Sequence, residues 1–473
     1  MAIIISLQPT DGVMSSTLIP IFFKCFETTS STTNLIARCY KIMCSGTPDQ
    51  KVGGDFRMAP RFGFTDLFYF DASEIFNTIT KFTLDDMNNS YQVGQSNLTY
   101  SELFNVWDCN ATWKVYVNFY IESVDADGLV SVDWDNPVKS NEFYVHEGSP
   151  SQEWINAPLV TNNGTSFSGS ALDMFNMYYQ ADRKSKMFLT NYPIKKDAGT
   201  TTPYSNVTIK PSESYMLSFF AKDNSPNVGY KVVVKTYAGT TLLNTHTNAH
   251  TADINYTTFL CGWLDMFASG ALTANSAEGT FFSNVDNYTV AIHAGSSASS
   301  GSEVLNSTLY KFKLDRSCKG KGYLRFCFKN QLGGFDMVTS EGSYITKRKS
   351  EFERFQRTQG YEEWTNPMYF GESNWAGENQ MLYSVTTQLM RKELAQHFSE
   401  MMMSTQVYLD FNQQDLKNKV DSTNFTTILR NTPSYYKPIK LNQQTVRIIN
   451  TNDNAYKLKF DFAISINQKT PRF

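Results

Sequence analysis

The chain of 473 residues is long enough for about three domains of ordinary size, each with its own core. Charged residues make up 18% and the formal net charge is -3, which excludes both the basic footprint of a general nucleic-acid binder and an acidic tail. Aromatics at 14%, together with abundant Thr, Ser and Asn, favour pleated surfaces and turns over long helices, so the expected fold class is mainly β.

The opening Met1 to Gly12 has a short apolar run and no basic stretch, so no secretory signal is expected. Nowhere do about 18 apolar residues run together, as a membrane-crossing helix requires. The first strand-and-helix signal is LFYFDASEIF, Leu67 to Phe76, where a strand runs into a short helix capped by Asp71 or Ser73. The clearest hairpin follows in WKVYVNFYIESVDADGLVSVDW. Trp113, Val115, Val117, Phe119 and Ile121 alternate with more polar residues, and Asp127-Gly128 turns the chain before Leu129 to Trp134. A Gly, Ser and Pro cluster at HEGSPSQEW, from His146, marks a boundary, so residues 1–148 are read as a β-rich N-terminal domain.

Residues 149–322 are read as a β-sandwich, with strands at Tyr215 to Ala221, Tyr230 to Gly239, Asn287 to Gly295 and Ser307 to Asp315, spaced by turn-rich segments. Residues 323–473 are read as an α+β region: a hairpin, an interface loop, one amphipathic helix and a C-terminal sheet. In the hairpin YLRFCFKNQLGGFDMVTS, Leu324, Phe326 and Phe328 share one strand face and Arg325 and Lys329 the other. Gly333-Gly334 supplies the positive φ that the turn needs. Tyr361 to Gln380, with Trp364, Tyr369, Phe370 and Trp375, is too rich in Gly, Asn and Pro for a regular element and is read as the interface loop. Met381 to Met403 places Leu382, Val385, Leu389, Leu394, Phe398, Met401 and Met402 near helical spacing. Leu458, Phe460, Phe462, Ile464 and Ile466 alternate in a final strand.

The chemical motifs favour no enzyme. The seven cysteines (Cys25, Cys39, Cys44, Cys109, Cys261, Cys318, Cys327) form no C-x-x-C pair, and their odd number fits free, buried thiols in a reducing compartment. The Gly-Gly pair is no phosphate loop, because G-x-x-x-x-G-K-[ST] is absent. His246 and His250 have the i,i+4 spacing of metal ligands on a helix, but their surroundings are loop-like and offer no third ligand. Asp125, Asp127, Asp133 and Asp135 crowd the hairpin turn without the spacing of a calcium loop, so a solvated turn is the stronger reading. G-x-S-x-G is also absent, and Asn-x-Ser/Thr sequons are what an Asn- and Thr-rich chain contains by chance. No catalytic residue, cofactor-binding residue, cofactor or metal ligand is therefore expected. A glycosidase needs only two facing carboxylates and is not excluded on sequence alone.

The stretch Cys318 to Ser340 resembles a pattern of virion tail proteins from crAss-like podoviruses that infect Bacteroidetes: a strand, an Asn, a Gly-Gly turn and an aromatic-Asp strand. Asn330, Gly333, Gly334, Phe335 and Asp336 fill it here, with Ser340 in place of the usual apolar residue. The C-terminal order of helix, QVYLDF, YKPIKL and a strand ending KFDFAISIN is also similar. The resemblance covers about a third of the chain. It implies a structural protein in a homo-oligomeric ring or hub of the tail barrel, folded in the host cytoplasm. Its implied partners are neighbouring ring, hub, portal or fibre proteins and the passing DNA, with no sequence-specific contact and no membrane. The rival readings are a carbohydrate-binding or hydrolysing adhesin, with Trp263, Trp364 and Trp375 as a stacking platform, and a head decoration or fibre.

Overall fold

The computed structural model describes residues 3–9, 11, 14–18, 20–28, 34–43, 47–61, 66–81, 106–107, 111–124, 127–148, 188–193, 195, 204–211, 213–221, 230–250, 255–263, 266, 284–294, 304–305, 308–317, 323–356, 372–410, 436–441, 447–450, 455–464 and 468–469. Over these residues the chain is mainly β, with several sheets and two helices, and divides into two compact units. The first holds the described residues up to Arg316 and the turn Asn330–Asp336. The second holds those of Ser317–Lys329 and those from Met337 on.

The first unit opens with β1 (Ile3–Leu7), β2 (Met14–Ser16), β3 (Phe22–Glu27), β4 (Asn34–Lys41), β5 (Gln50–Met58), β6 (Leu67–Asp71) and helix α1 (Ser73–Asn77). After β7 (Val106–Trp107) come β8 (Thr112–Val124), β9 (Val130–Val132), β10 (Val138–Lys139) and β11 (Phe143–His146). They form the sheets β1-β3-β6 and β2-β11-β8-β4-β5, with β9 and β10 paired to β8. Alternating apolar residues from both sheets meet in one core, where the Phe23 ring lies 5.5 Å from Phe119, 6.1 Å from Phe143 and 6.2 Å from Phe70. Each such ring removes apolar area worth about 1.5–3 kcal/mol from water. Of the two expected caps of α1, Asp71 acts: its Oδ1 accepts the N–H groups of Ser73 and Ile21, each at 2.9 Å, while Ala72 occupies the N-cap position. The β8–β9 turn has Gly128 at φ 80°, but the outer face of β8 is less polar than its alternation suggests. Tyr116 and Tyr120 are buried there beneath Tyr40, Trp134 and the cations Arg38 and Lys139.

The second sandwich contains β12 (Tyr204–Ile209), β13 (Met216–Ala221), β14 (Tyr230–Ala238), β15 (Thr241–His250), β16 (Asn255–Leu260), β17 (Asn287–Ala294), β18 (Val304–Leu305) and β19 (Leu309–Leu314). Its larger sheet runs β12-β19-β17-β14-β15 with β18 on β17. The smaller sheet, β13-β16-β7, takes its last strand from residues 106–107. Phe188 joins the two sheets, 6.1 Å from Phe219 of β13 and 5.2 Å from Tyr310 of β19, and Tyr288 stacks on Phe312 at 4.7 Å.

The second unit contains β20 (Leu324–Lys329), most of β21 (Phe335–Ser340), β22 (Ser343–Gln356), β23 (Glu372–Thr386), helix α2 (Lys392–Met403), β24 (Val407–Asp410), β25 (Tyr436–Leu441), β26 (Arg447–Asn450), β27 (Tyr456–Ile464) and β28 (Gln468–Lys469). One sheet runs β21-β20-β24-β25-β27-β23-β22, with β26 on β27 and β28 on β23. Leu458, Phe460, Phe462 and Ile464 of β27 and Ala395, Phe398 and Met401 of α2 build its core.

Three sequence expectations are corrected in this unit. The helix read from Met381 begins only at Lys392, because Leu382–Thr386 pair with Lys459–Ala463 of β27 and bury Tyr383 and Val385 at strand spacing. Leu389, read as part of the helical stripe, is 53% exposed. The segment read as irregular up to Gln380 is regular from Glu372, where β23 begins. Its earlier residues, with Trp364, Tyr369 and Phe370, lie outside the described ones. Finally, β20 is buried on both faces, Arg325 and Lys329 included, and the Arg325 guanidinium donates to Met337 Sδ at 3.1 Å.

The Gly-Gly turn is as expected, with Gly333 at φ 83° between β20 and β21. Inside the first unit it is enclosed. A Cβ at Gly333 would overlap Glu147 O and His146 Nε2, one at Gly334 would overlap Leu189 O, and one at Gly148 would overlap Leu332 O. Asn330 organises the turn: its Oδ1 accepts the Gly334 N–H at 3.0 Å, and its Nδ2 donates to Leu189 O at 2.7 Å and Asp336 Oδ2 at 2.9 Å. Gly333→Ala is expected to destabilise the protein by about 3 kcal/mol, and Gly334→Ala by a similar amount without any φ contribution. Urea titration of both variants checks this, and a change below about 0.5 kcal/mol in both would contradict the enclosed turn.

Cys25, Cys39, Cys261 and Cys327 are buried, and burial pushes the Cys25 and Cys39 thiols up to about 12. These two are expected to stay unreactive toward a thiol reagent at neutral pH until denaturant is added, as peptide mapping of the labelled protein will show.

Candidate functional site, an open two-stranded ribbon

β22 and β23 pair antiparallel from Ser343↔Thr386 to Gln356↔Glu372, with a bulge between Glu353 and Arg354. At about 3.4 Å per residue, β22's 14 residues reach about 45 Å. The base of the ribbon is anchored by packing. The Tyr383 ring stacks on Phe462 at 4.8 Å, Tyr344 lies 6.0 Å from Tyr383, and Val385 is buried. Beyond the base, support on the β23 side thins out. β27 covers Leu382–Thr386 and β28 covers Glu378–Asn379, so Glu372–Gly377 have no second partner strand among the described residues. The far edge of β22 is the end of the sheet and has none along its whole length among them.

An isolated two-stranded ribbon is marginal in water, and a long open edge is a template for another strand. The bland reading is that the run Lys347-Arg348-Lys349 guards this edge against random pairing, as charged residues on edge strands do. Guarding accounts for those three residues. Among the described side chains of the ribbon, Tyr344, Tyr383 and Val385 pack with the core of the second unit.

The residues singled out from sequence are spread over separate elements where they are described. Trp263 is 2% exposed and packs 5.6 Å from Tyr288, so it offers no platform to a sugar; Trp375 falls within β23, and Trp364 lies outside the described residues. His246 and His250 sit on β15 opposite Val234 and Tyr230. On a strand four residues span about 13 Å, too far for two ligands of one ion, so the helical spacing that suggested a metal does not apply. Asp127 is exposed at the β8–β9 turn and Asp133 and Asp135 are exposed after β9, where both Asp133 oxygens accept from Asn136 Nδ2 at 3.1 Å, while Asp125 lies outside the described residues. Sequence reasoning missed the ribbon because its strands lack the β-branched alternation of a half-buried strand. The remaining signal is the near match in length of the runs either side of the intervening segment.

A charge cluster of the first unit joins β4 and β5. Arg38 lies 3.6 Å over the Trp134 ring and donates from Nε and Nη2 to Asp55 at 2.6 and 2.9 Å, while Lys51 also meets Asp55. The hydrogen bonds from Arg38, ahead of the Lys51 contact, hold the Asp55 carboxyl down at about 2. A carboxylate depressed in the folded state contributes stability that is complete above its ordinary value of 3.8 and is lost as pH falls towards about 2. Asp55→Asn is therefore expected to flatten the acid limb of the stability curve between those pH values while leaving its neutral-to-alkaline shape unchanged. Thermal melts across pH check this, and an acid limb as steep as the parent's would contradict it.

No family model matches the chain, and no curated protein matches it in sequence.

Proposed function

We propose that the protein is a virion structural subunit that assembles into a homo-oligomeric ring or hub of a phage tail barrel through which DNA passes. The observation that carries the reading is the β22–β23 ribbon: about 45 Å of paired strand whose far β22 edge has no partner strand among the described residues. Such an element has a physical reason to exist when a neighbouring chain completes it. The mainly β, multi-sheet build agrees with a structural role, and so does the Asn330–Asp336 turn, whose residues match those of the tail-protein resemblance. A slightly acidic chain also suits a DNA conduit, because a strongly basic wall would bind the phosphates and slow passage. Burial of Trp263 removes one residue from the adhesin alternative.

The purified protein is expected to elute as a single oligomer by light scattering and to appear as closed rings by electron microscopy, with the same density in the tail of the virion. A monomer at all concentrations, or labelling confined to capsid faces or fibre tips, would overturn the reading.

A further inference from the structure

One lysine–carboxylate pair of the first unit is unlike the others. Lys51, Lys114 and Lys139, which meet Asp55 and Glu142, keep side-chain exposures of 37, 36 and 45%, as surface pairs do. The Lys210 side chain is 8% exposed, and its Nζ donates to Asp315 Oδ2 at 2.5 Å. Lys210 directly follows β12 and Asp315 directly follows β19. These strands pair in parallel as far as Ile209↔Leu314, so the two residues leave the same end of adjacent strands. Their backbones are pinned as well. The Asp315 N–H donates to Ile209 O at 2.9 Å, the Glu213 N–H donates to Lys210 O at 3.0 Å, and Glu213 Oε2 accepts the Lys210 N–H at 2.9 Å.

The bland reading is a buried ion pair that only holds the strand ends together. As ions the two groups gain little, because the hydration lost by a buried ammonium offsets most of its attraction to one carboxylate. A neutral amide between the same side chains removes that cost.

We propose that Lys210 and Asp315 condense in the folded protein into an isopeptide cross-link. The Lys210 ammonium passes one proton to Asp315 Oδ2, and the freed amine attacks Asp315 Cγ. The nitrogen then gives up a second proton as the Cγ–Oδ2 bond breaks. One amide N–H remains, both hydrogens of the departing water come from the ammonium, and no oxidant, reductant or co-reactant is consumed. Free in water such a condensation runs backwards, but groups held in contact react at effective concentrations of about 10⁵–10⁸ M. The Asp315 side chain is 30% exposed, which leaves the released water a way out.

The bond would join positions 105 residues apart and tie β12 to β19, closing the strands between them into one loop. A closed loop restricts the unfolded chain, and a pull along the backbone would pass through the cross-link instead of through those strands. The cross-link is a property of the second sandwich and does not depend on the assembly reading.

Intact mass spectrometry of the denatured full-length protein tests the proposal, followed by peptide mapping. The expected result is a mass below that of the sequence by one water, and a branched peptide in which Lys210 is joined to Asp315. Lys210→Arg keeps the positive charge but cannot form this amide, and is expected to show the full mass of its sequence. A parent protein at its full sequence mass, or a lost water mapped to any other position, would overturn the cross-link.

Discussion

Much of the first unit is organised around one enclosed turn. Between Asn330 and Asp336 the chain passes so close to the backbone at Glu147–Gly148 and at Leu189 that three glycines, Gly148, Gly333 and Gly334, lie where any side chain would overlap a carbonyl or His146. Close approach of polar backbone without water is tolerable only when its hydrogen bonds are made. Asn330 makes them with both ends of its amide, the Phe335 N–H reaches Ser218 Oγ, and His146 is set between Ala111 O and Leu332 O. One seven-residue segment thus touches elements from both sandwiches of the first unit, while the strands on either side of it belong to the nine-stranded sheet.

The sandwiches follow a simpler rule. Their strands alternate large apolar residues inward, and aromatic rings do most of the filling: Phe23, Phe70, Phe119 and Phe143 in the first, Phe188, Tyr288, Tyr310 and Phe312 in the second. Tyrosines in the second core are held neutral by burial, and the charge of Asp336 adds to the effect at Tyr310, Tyr215 and Tyr192. Buried aromatics of this kind give stability without demanding long-range charge pairing, consistent with a chain in which only 18% of residues are charged.

The ribbon obeys neither rule. It is long, the far edge of β22 has no partner strand among the described residues, and at its base Tyr344, Tyr383 and Val385 pack with the core of its unit. Edges of this length are normally shortened, bulged or covered. Here a single bulge at Glu353/Arg354 interrupts the β22–β23 pairing, and no strand among the described residues covers the far edge of β22.

Local alternation and turn chemistry were enough for the mainly β class, for β8 and β27, and for the positive φ at Gly333, because each depends on a few consecutive residues. The same local reading failed where a distant strand outweighed it. Leu382 and Val385 sit at helical spacing but join the distant β27 in a ladder, and Arg325 and Lys329 look solvent-facing in the strand pattern yet are buried. It also failed at the ribbon, whose sequence carries no strong strand pattern and whose regularity comes from pairing across the intervening segment. Sequence alone therefore settled what neighbouring residues decide, namely period, turn type and composition. Tertiary structure settled burial, register and which edges stay open, since these depend on partners that the chain brings together only when folded.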